Sequence, residues 1–324
     1  TFLSLCSHEY FHAWNVCRIK PKEFIPYNLQ QESYTKQLWA FEGITSYYDD
    51  FSLYRSGLIN FDEYLTILAK TATRVYRGAG ELKQSVTSSS FDAWTKFYQQ
   101  GPDAVNNIVS YYTKGALIAL WLDLTIREKS QQQYSLDTLM RELWIHFGRS
   151  NIGTNEEDFI NIANILCGED ISTAFKQHLY SNERIDLTAE LASYGVQLQK
   201  QKFKKLNSLE TTESEHYHPY IGAQFKAQAQ GLTISQVLEN SPAAKAGLAV
   251  NDVLIAVDKV KATDASLQAL LEHIPAGSEL TCDFFRDDQL LSSSLTVTDS
   301  PLAGIGFKVL DDNLAKSWQR IIPC

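Results

Sequence analysis

A multidomain fold with a mainly helical body followed by a small β-rich domain is what this sequence predicts, and three observations carry the prediction. Residues 1 to about 190 place apolar side chains at helical spacing over most of their length. After about Leu191 the pattern changes: Val196 to Phe203 alternates apolar and polar residues like a strand, and Asn207 to Pro219 is polar. From Tyr220 onward short strand-like runs recur between turn residues. A chain of 324 residues has a prior of two domains, its 44% hydrophobic content fills substantial cores, and 21% charged residues excludes a disordered chain.

The first helix holds the most informative residues. Phe2, Leu3, Leu5, Phe11 and Trp14 supply apolar positions, and no Gly or Pro interrupts the chain before Pro21 and Pro26 force an extended turn. Within it lies His8-Glu9-Tyr10-Phe11-His12, an HExxH sequence. On a helix, imidazoles at i and i+4 lie one turn apart and can reach one ion. Glu9 then stands beside the open coordination position, where it can deprotonate a water. Packing of both histidines in a core is the alternative for the same residues.

A hydrolytic zinc site needs a third protein ligand. Glu42, within the run Leu38 to Tyr48, is the best candidate, and its helical stretch extends to about Arg55 with Gly57 as terminator. A glutamate flanked by Trp39, Phe41 and Ile44 is costly to bury without a partner, and a metal is such a partner. On the solvated side of an amphipathic helix it needs none. Thr45, Ser46 and Asp49 are alternatives for orienting the histidines.

Further helices follow in order. Asn60 with Glu63 reads as a capping box for a helix through Arg77, and Thr154 with Glu157 does so for one through Leu166. Tyr111 to Lys129 and Leu136 to Phe147 carry helical apolar spacing. Gly78 to Ser90, with two Gly and four Ser, reads as a connecting loop.

HEYFHAWN followed by WAFEGITSYY resembles the gluzincin metallopeptidases, whose third ligand is a Glu within WxxEGxTxY. Ser110 to Leu117, SYYTKGAL, resembles the YxKG segment that carries their transition-state tyrosine; by position this is Tyr112, with Tyr111 its neighbour. Downstream, Tyr220-Ile221-Gly222-Ala223, Leu232 to Val237, Ser241 to Leu248 and Asp252 to Val257 resemble a PDZ domain of the protease-associated kind. Ala265 to Ile274 is its expected groove helix, and Asn251 stands where Gly is usual, at a position needing φ > 0. Together these blocks resemble the PDZ-containing glycyl aminopeptidases over nearly the whole chain. The 29 residues between His12 and Glu42 are more than is usual in the larger aminopeptidase family and compatible with the glycyl type.

The resemblance implies one Zn2+ held by His8, His12 and Glu42, with Glu9 as general base and Tyr112 as oxyanion donor. It also implies an aminopeptidase favouring amino-terminal Gly or Ala, and capture of a peptide carboxylate by the backbone at Tyr220, Ile221, Gly222 and Ala223. Two other functions fit the same residues: a zinc- and peptide-binding fragment inactive on its own, and a zinc endopeptidase. The expected domains are residues 1–200 (catalytic), 201–218 (linker), 219–300 (PDZ) and 301–324, a tail packing back through Phe307, Leu310, Leu314 and Trp318. His216 and His218 in the linker read as solvated.

The formal net charge of -9 argues against nucleic acid as a partner, and Lys200, Lys202, Lys204 and Lys205 read as a solvated face. No run spans a membrane, since Ala116 to Ile126 is too short and contains Asp123. The five cysteines, at 6, 17, 167, 282 and 324, form no CxxC and say little about compartment. With only seven residues before His8, the chain reads as the carboxy-terminal part of a longer, soluble, bacterial protein, any targeting signal lying upstream. Cytoplasm and periplasm are equally compatible.

Overall fold

A computed structural model of the chain describes residues 2–205 and 208–322. Thr1, residues 206 and 207 of the expected linker, and residues 323 and 324 of the expected tail lie outside the described residues.

The helical body begins with α1 (Phe2–Phe11). Residues 12 to 19 form turns, so the helix is shorter than its uninterrupted apolar spacing suggests. The reason lies in Asn15, whose buried amide donates to Ala40 O at 3.1 Å and to Thr45 Oγ1 at 3.2 Å and ties this turn to the next segment. That segment is a π-helical turn, Trp39–Ile44, running into α2 (Thr45–Arg55), which ends before Gly57. Asn60 and Glu63 form the expected capping box on α3 (Phe61–Tyr76).

The expected loop at Gly78 to Ser90 is partly helical: Ser85 caps α4 (Val86–Phe91) by accepting from Ser88 N. Ser89 and Ser90 are buried and donate to Val109 O and Val86 O, while Ser88 is exposed. After α5 (Ala104–Asn107) comes α6 (Thr113–Lys129), buried on all sides from Lys114 to Arg127 and surrounded by the other helices. The helix α7 (Leu136–Leu143) continues as a π-turn over Trp144–Gly148. The cap of α8 (Glu156–Cys167) is Asn155 with Asp158, one residue later than expected, because Thr154 is buried and bonded to Lys20 O and Gln37 Oε1. The helices α9 (Ser172–Tyr180) and α10 (Thr188–Ser193) complete the all-helical part.

Then come β1 (Val196–Phe203), β2 (Thr211–Thr212), β3 (Pro219–Tyr220), β4 (Ala223–Gln228), β5 (Gly231–Val237), α11 (Pro242–Lys245), β6 (Val253–Val257) and β7 (Val260–Lys261). The chain continues through α12 (Asp264–His273), β8 (Glu279–Arg286), β9 (Gln289–Thr296), β10 (Thr298–Asp299), β11 (Gly304–Val309) and α13 (Asp312–Gln319). The PDZ-like sheet has the order β4-β5-β6-β8-β9, leaving β4 at an edge, and buries its own core including Ile221, Phe225, Ile234, Leu267 and Phe284. Asn251 takes φ 76°, the left-handed conformation its position requires.

Residues expected as linker and tail do more than connect. Antiparallel pairing joins β1 to β11, Val196 opposite Val309, and β2 pairs with the far end of β1. Trp318 of α13 is fully buried among Phe51, Phe61 and Tyr64. The ends of the chain beyond the PDZ-like sheet thus finish the helical body's core. That sheet is docked on the body by Arg77 Nη2 to Gln236 Oε1 at 2.7 Å, by a Lys83–Glu239 ion pair at 2.8 Å, and by Asn106. The Asn106 amide donates to Val237 O at 2.8 Å and accepts from Glu239 N at 2.9 Å.

Candidate metal centre

Helix α1 lays His8 and His12 against the π-turn that carries Glu42. In that turn Trp39, Ala40, Phe41, Gly43 and Ile44 are buried, and Glu42 alone faces the cleft. Such π-turns re-aim one side chain out of helical register and recur at functional sites. His8 Nε2 lies 3.2 Å and His12 Nε2 3.4 Å from Glu42 Oε2, with the two imidazoles edge-to-face at 4.7 Å between centroids. One donor atom from each of the three lies within 4.8 Å of the other two. Among the described residues no other group of three such side chains converges in this way, and His216 and His218 take no part in one.

The far side of each ring is also engaged. His8 Nδ1 sits 3.3 Å from Asp49 Oδ2, and His12 Nδ1 lies 2.6 Å from the carbonyl of Asn15. Of the three candidates for orienting a histidine, the structure places Asp49 at His8, while Thr45 bonds back to Phe41 O. With Nδ1 bonded outward in both rings, Nε2 is the nitrogen left to face the cleft. Burial lowers the basicity of His8, but Asp49 and Glu42 outweigh it and raise its pKa to about 9. The bond to Glu42 raises His12 despite its burial. Burial pushes Glu42 up, and the two histidines overcome this and hold it below the usual carboxylate range. Burial lifts Asp49 to about 6 against the pull of His8, so it is anionic at neutral pH. This field favours positive charge between the three side chains, and two imidazoles with one carboxylate are a donor set suited to zinc.

Glu9, next to His8 in α1, is exposed. Tyr112, at the start of α6, is half-buried and stacks on His8 with centroids 6.2 Å apart at 29°. Its neighbour Tyr111 is fully buried against Phe97. Burial, the hydrogen bond with Tyr98 and the charge of Glu42 all raise the Tyr112 pKa, so its phenol keeps its proton. Tyr98, whose hydroxyl is 3.2 Å from that of Tyr112, escaped the sequence reading because nothing in its surroundings has a recognisable spacing. It is delivered by a π-turn, Ala93–Phe97, of which it is the C-cap. Lys114 turns away from the cleft and pairs with Glu81 inside the body. The loop at Tyr220 to Ala223 belongs to the PDZ-like sheet rather than to this cleft, and Gly222 adopts φ 72°. No described helix is long and apolar enough to cross a membrane.

Residues 1–118 match the model of the M61 glycyl aminopeptidase family, and residues 219–297 match that of the PDZ domain. A crystal structure of an aminopeptidase N family protein from Idiomarina loihiensis superposes with a TM-score of 0.93 at 45% identity. The match covers 99% of this chain and 55% of that one, so the chain spans about half the length of that protein. Among curated proteins, the periplasmic serine endoprotease DegP of Escherichia coli (strain K12) is 32% identical over 122 residues, 37% of this chain and 24% of its own. The serine endoprotease DegS of the same strain is 36% identical over 76 residues, 23% of this chain and 21% of its own.

Proposed function

This chain carries an M61 glycyl aminopeptidase segment followed by a PDZ domain, and from that premise we propose that it belongs to a zinc aminopeptidase favouring amino-terminal Gly or Ala. The observation that carries the reading is the meeting of His8 Nε2, His12 Nε2 and Glu42 Oε2, each imidazole being held from behind by Asp49 or Asn15. His8, His12 and Glu42 would hold one Zn2+, which when bound polarises the scissile carbonyl and acidifies water. Glu9 takes the proton of the attacking water and passes it to the leaving amine. Tyr112 donates its phenolic hydrogen to the oxyanion that develops on the substrate, an interaction completed only in the transition state. Asp49 fixes the tautomer and rotation of His8. The PDZ domain binds a peptide carboxylate through the backbone at Tyr220 to Ala223.

The test is an assay of the full-length protein on paired Gly- and Ala-initiated peptides with free and acetylated amino termini, with metal measured in the same sample. About one zinc per chain and cleavage restricted to the free amines support the reading. Equal cleavage of both peptides points to an endopeptidase, and bound zinc without turnover points to a binding protein.

A further inference from the structure

Arg77, at the end of α3, is the one arginine withdrawn from solvent whose charge the described residues leave unmatched. Arg55, Arg127 and Arg286 each meet a carboxylate within 3.0 Å. No carboxylate lies within ion-pair distance of Arg77 among the described residues; its Nη2 donates to the neutral amide of Gln236, and its buried Nε has no acceptor. A half-buried cation without a counter-charge carries a desolvation penalty that an anion would offset.

The guanidinium lies in the wall of a cavity of about 40 Å3 shared with the exposed Lys205 and with Tyr220, Gly222, Ala223 and Gln224 of the PDZ domain. At about 10–15 Å3 for each water centre, this is room for a few waters or a carboxylate group, and too little for a bulky side chain. The carbonyls of the loop are already taken by protein donors. Ile221 O accepts from Ala243 N at 2.8 Å and Gly222 O from Leu238 N at 2.9 Å. In a trans peptide the C=O and N–H point opposite ways, so these bonds aim the N–H groups of Gly222 and Ala223 away from Ala243 and Leu238. A Cβ at residue 222 would lie 2.1 Å from Ser241 Cβ, and φ is 72°, so only Gly builds this turn.

We propose that Arg77 of the helical body completes the carboxylate site of the PDZ domain, so that the carboxy terminus of a bound peptide is held jointly by the loop amides and by a cation from the peptidase half. This rests on the reading of residues 219–297 as a peptide-binding domain. It adds that the site is whole only when that domain is docked on α3. A guanidinium is the side chain best matched to a carboxylate, and Arg77 has terminal N–H donors beyond the one given to Gln236.

The experiment captures pools of N-acetylated decapeptides, randomised at their last four positions, on the full-length protein. One pool has free carboxy termini, a second is amidated, and a third is amidated with Glu at the last position. The expected result is at least about tenfold enrichment of the free-carboxylate pool over both amidated ones, falling to about threefold or less in Arg77→Gln and partly restored in Arg77→Lys, with unchanged melting temperatures. Enrichment of the amidated Glu pool to the level of the free pool assigns the site to acidic side chains and overturns the proposal. Absence of any preference in the unaltered protein overturns the peptide-binding reading and this inference with it. A preference that survives Arg77→Gln in full overturns the role of Arg77 alone.

Discussion

Gly43 and Gly115 meet backbone to backbone: a Cβ on Gly43 would stand 2.5 Å from the Cα of Gly115, and one on Gly115 2.8 Å from the Cα of Gly43. Each glycine sits near a residue to which the proposed mechanism gives a role. Gly43 follows Glu42 in the π-turn, and Gly115 lies one turn into α6 from Tyr112. The contact sets the distance between the carboxylate and the phenol, which chain connectivity alone leaves free. Gly115→Ala is expected to separate the two helices, lower zinc content and destabilise the protein by roughly 1–3 kcal/mol, the usual cost of overpacking. Metal analysis together with denaturant unfolding checks this, and a variant with unchanged zinc and unchanged midpoint would show that the contact has no such role.

Zinc binding is expected to fall steeply in Glu42→Ala, because the two imidazoles lose the carboxylate that faces both of them at 3.2 and 3.4 Å. Asp49→Asn should cost about 10- to 100-fold in zinc affinity while leaving all three ligands in place, the range seen when a partner behind a ligand is lost. Competition with a chromogenic chelator measures both. Undiminished affinity in Glu42→Ala would remove Glu42 from the ligand set.

Turnover separates the roles of Glu9, Tyr112 and Tyr98. Glu9→Gln should keep zinc and lose most activity, since an amide cannot accept the water's proton. Tyr112→Phe should lower kcat by roughly 10- to 1000-fold with a smaller change in KM. The Tyr98 hydroxyl, 3.2 Å from that of Tyr112, contributes through that residue, so Tyr98→Phe should cost about tenfold or less alone and nothing further in a Tyr112→Phe background. Additive losses in the double variant would mean that the two hydroxyls act independently.

Much of this arrangement was legible because short local patterns carry it. HExxH requires only that α1 be a helix, and the apolar spacing around Glu42, together with Gly57, marked the second helix and its end. What the sequence hid depends on partners far along the chain. Asn15 ends α1 early by bonding to Ala40 and Thr45. Ser89 and Ser90 find carbonyls inside the fold, where composition suggested a loop. The strand β11 lies over a hundred residues beyond β1 in sequence, so the alternation of Val196 to Phe203 marks a strand without naming its partner. Tyr98 and Arg77 each gain meaning from a neighbour that no spacing rule connects to them.

Stability at mildly acidic pH is expected to depend on His178. Its ring lies edge-on to Trp121 with centroids 4.5 Å apart, and burial, reinforced by the nearby Lys114 cation and opposed weakly by Glu183, lowers its pKa to about 4. The unfolded chain takes up a proton on this imidazole near pH 6.5, whereas the folded chain resists it until about pH 4. Unfolded molecules therefore bind more protons between these values, and the contribution, complete above pH 6.5, is lost as the pH falls toward 4. Between pH 7.5 and 5 the loss is about 2 kcal/mol at most. His178→Phe keeps an aromatic ring on Trp121 and removes the titration, so urea unfolding of both proteins at the two pH values isolates the effect, the other histidines contributing equally to each. The variant should lose less stability on acidification than the unaltered protein; equal losses in the two would mean that His178 titrates alike in the folded and unfolded chains.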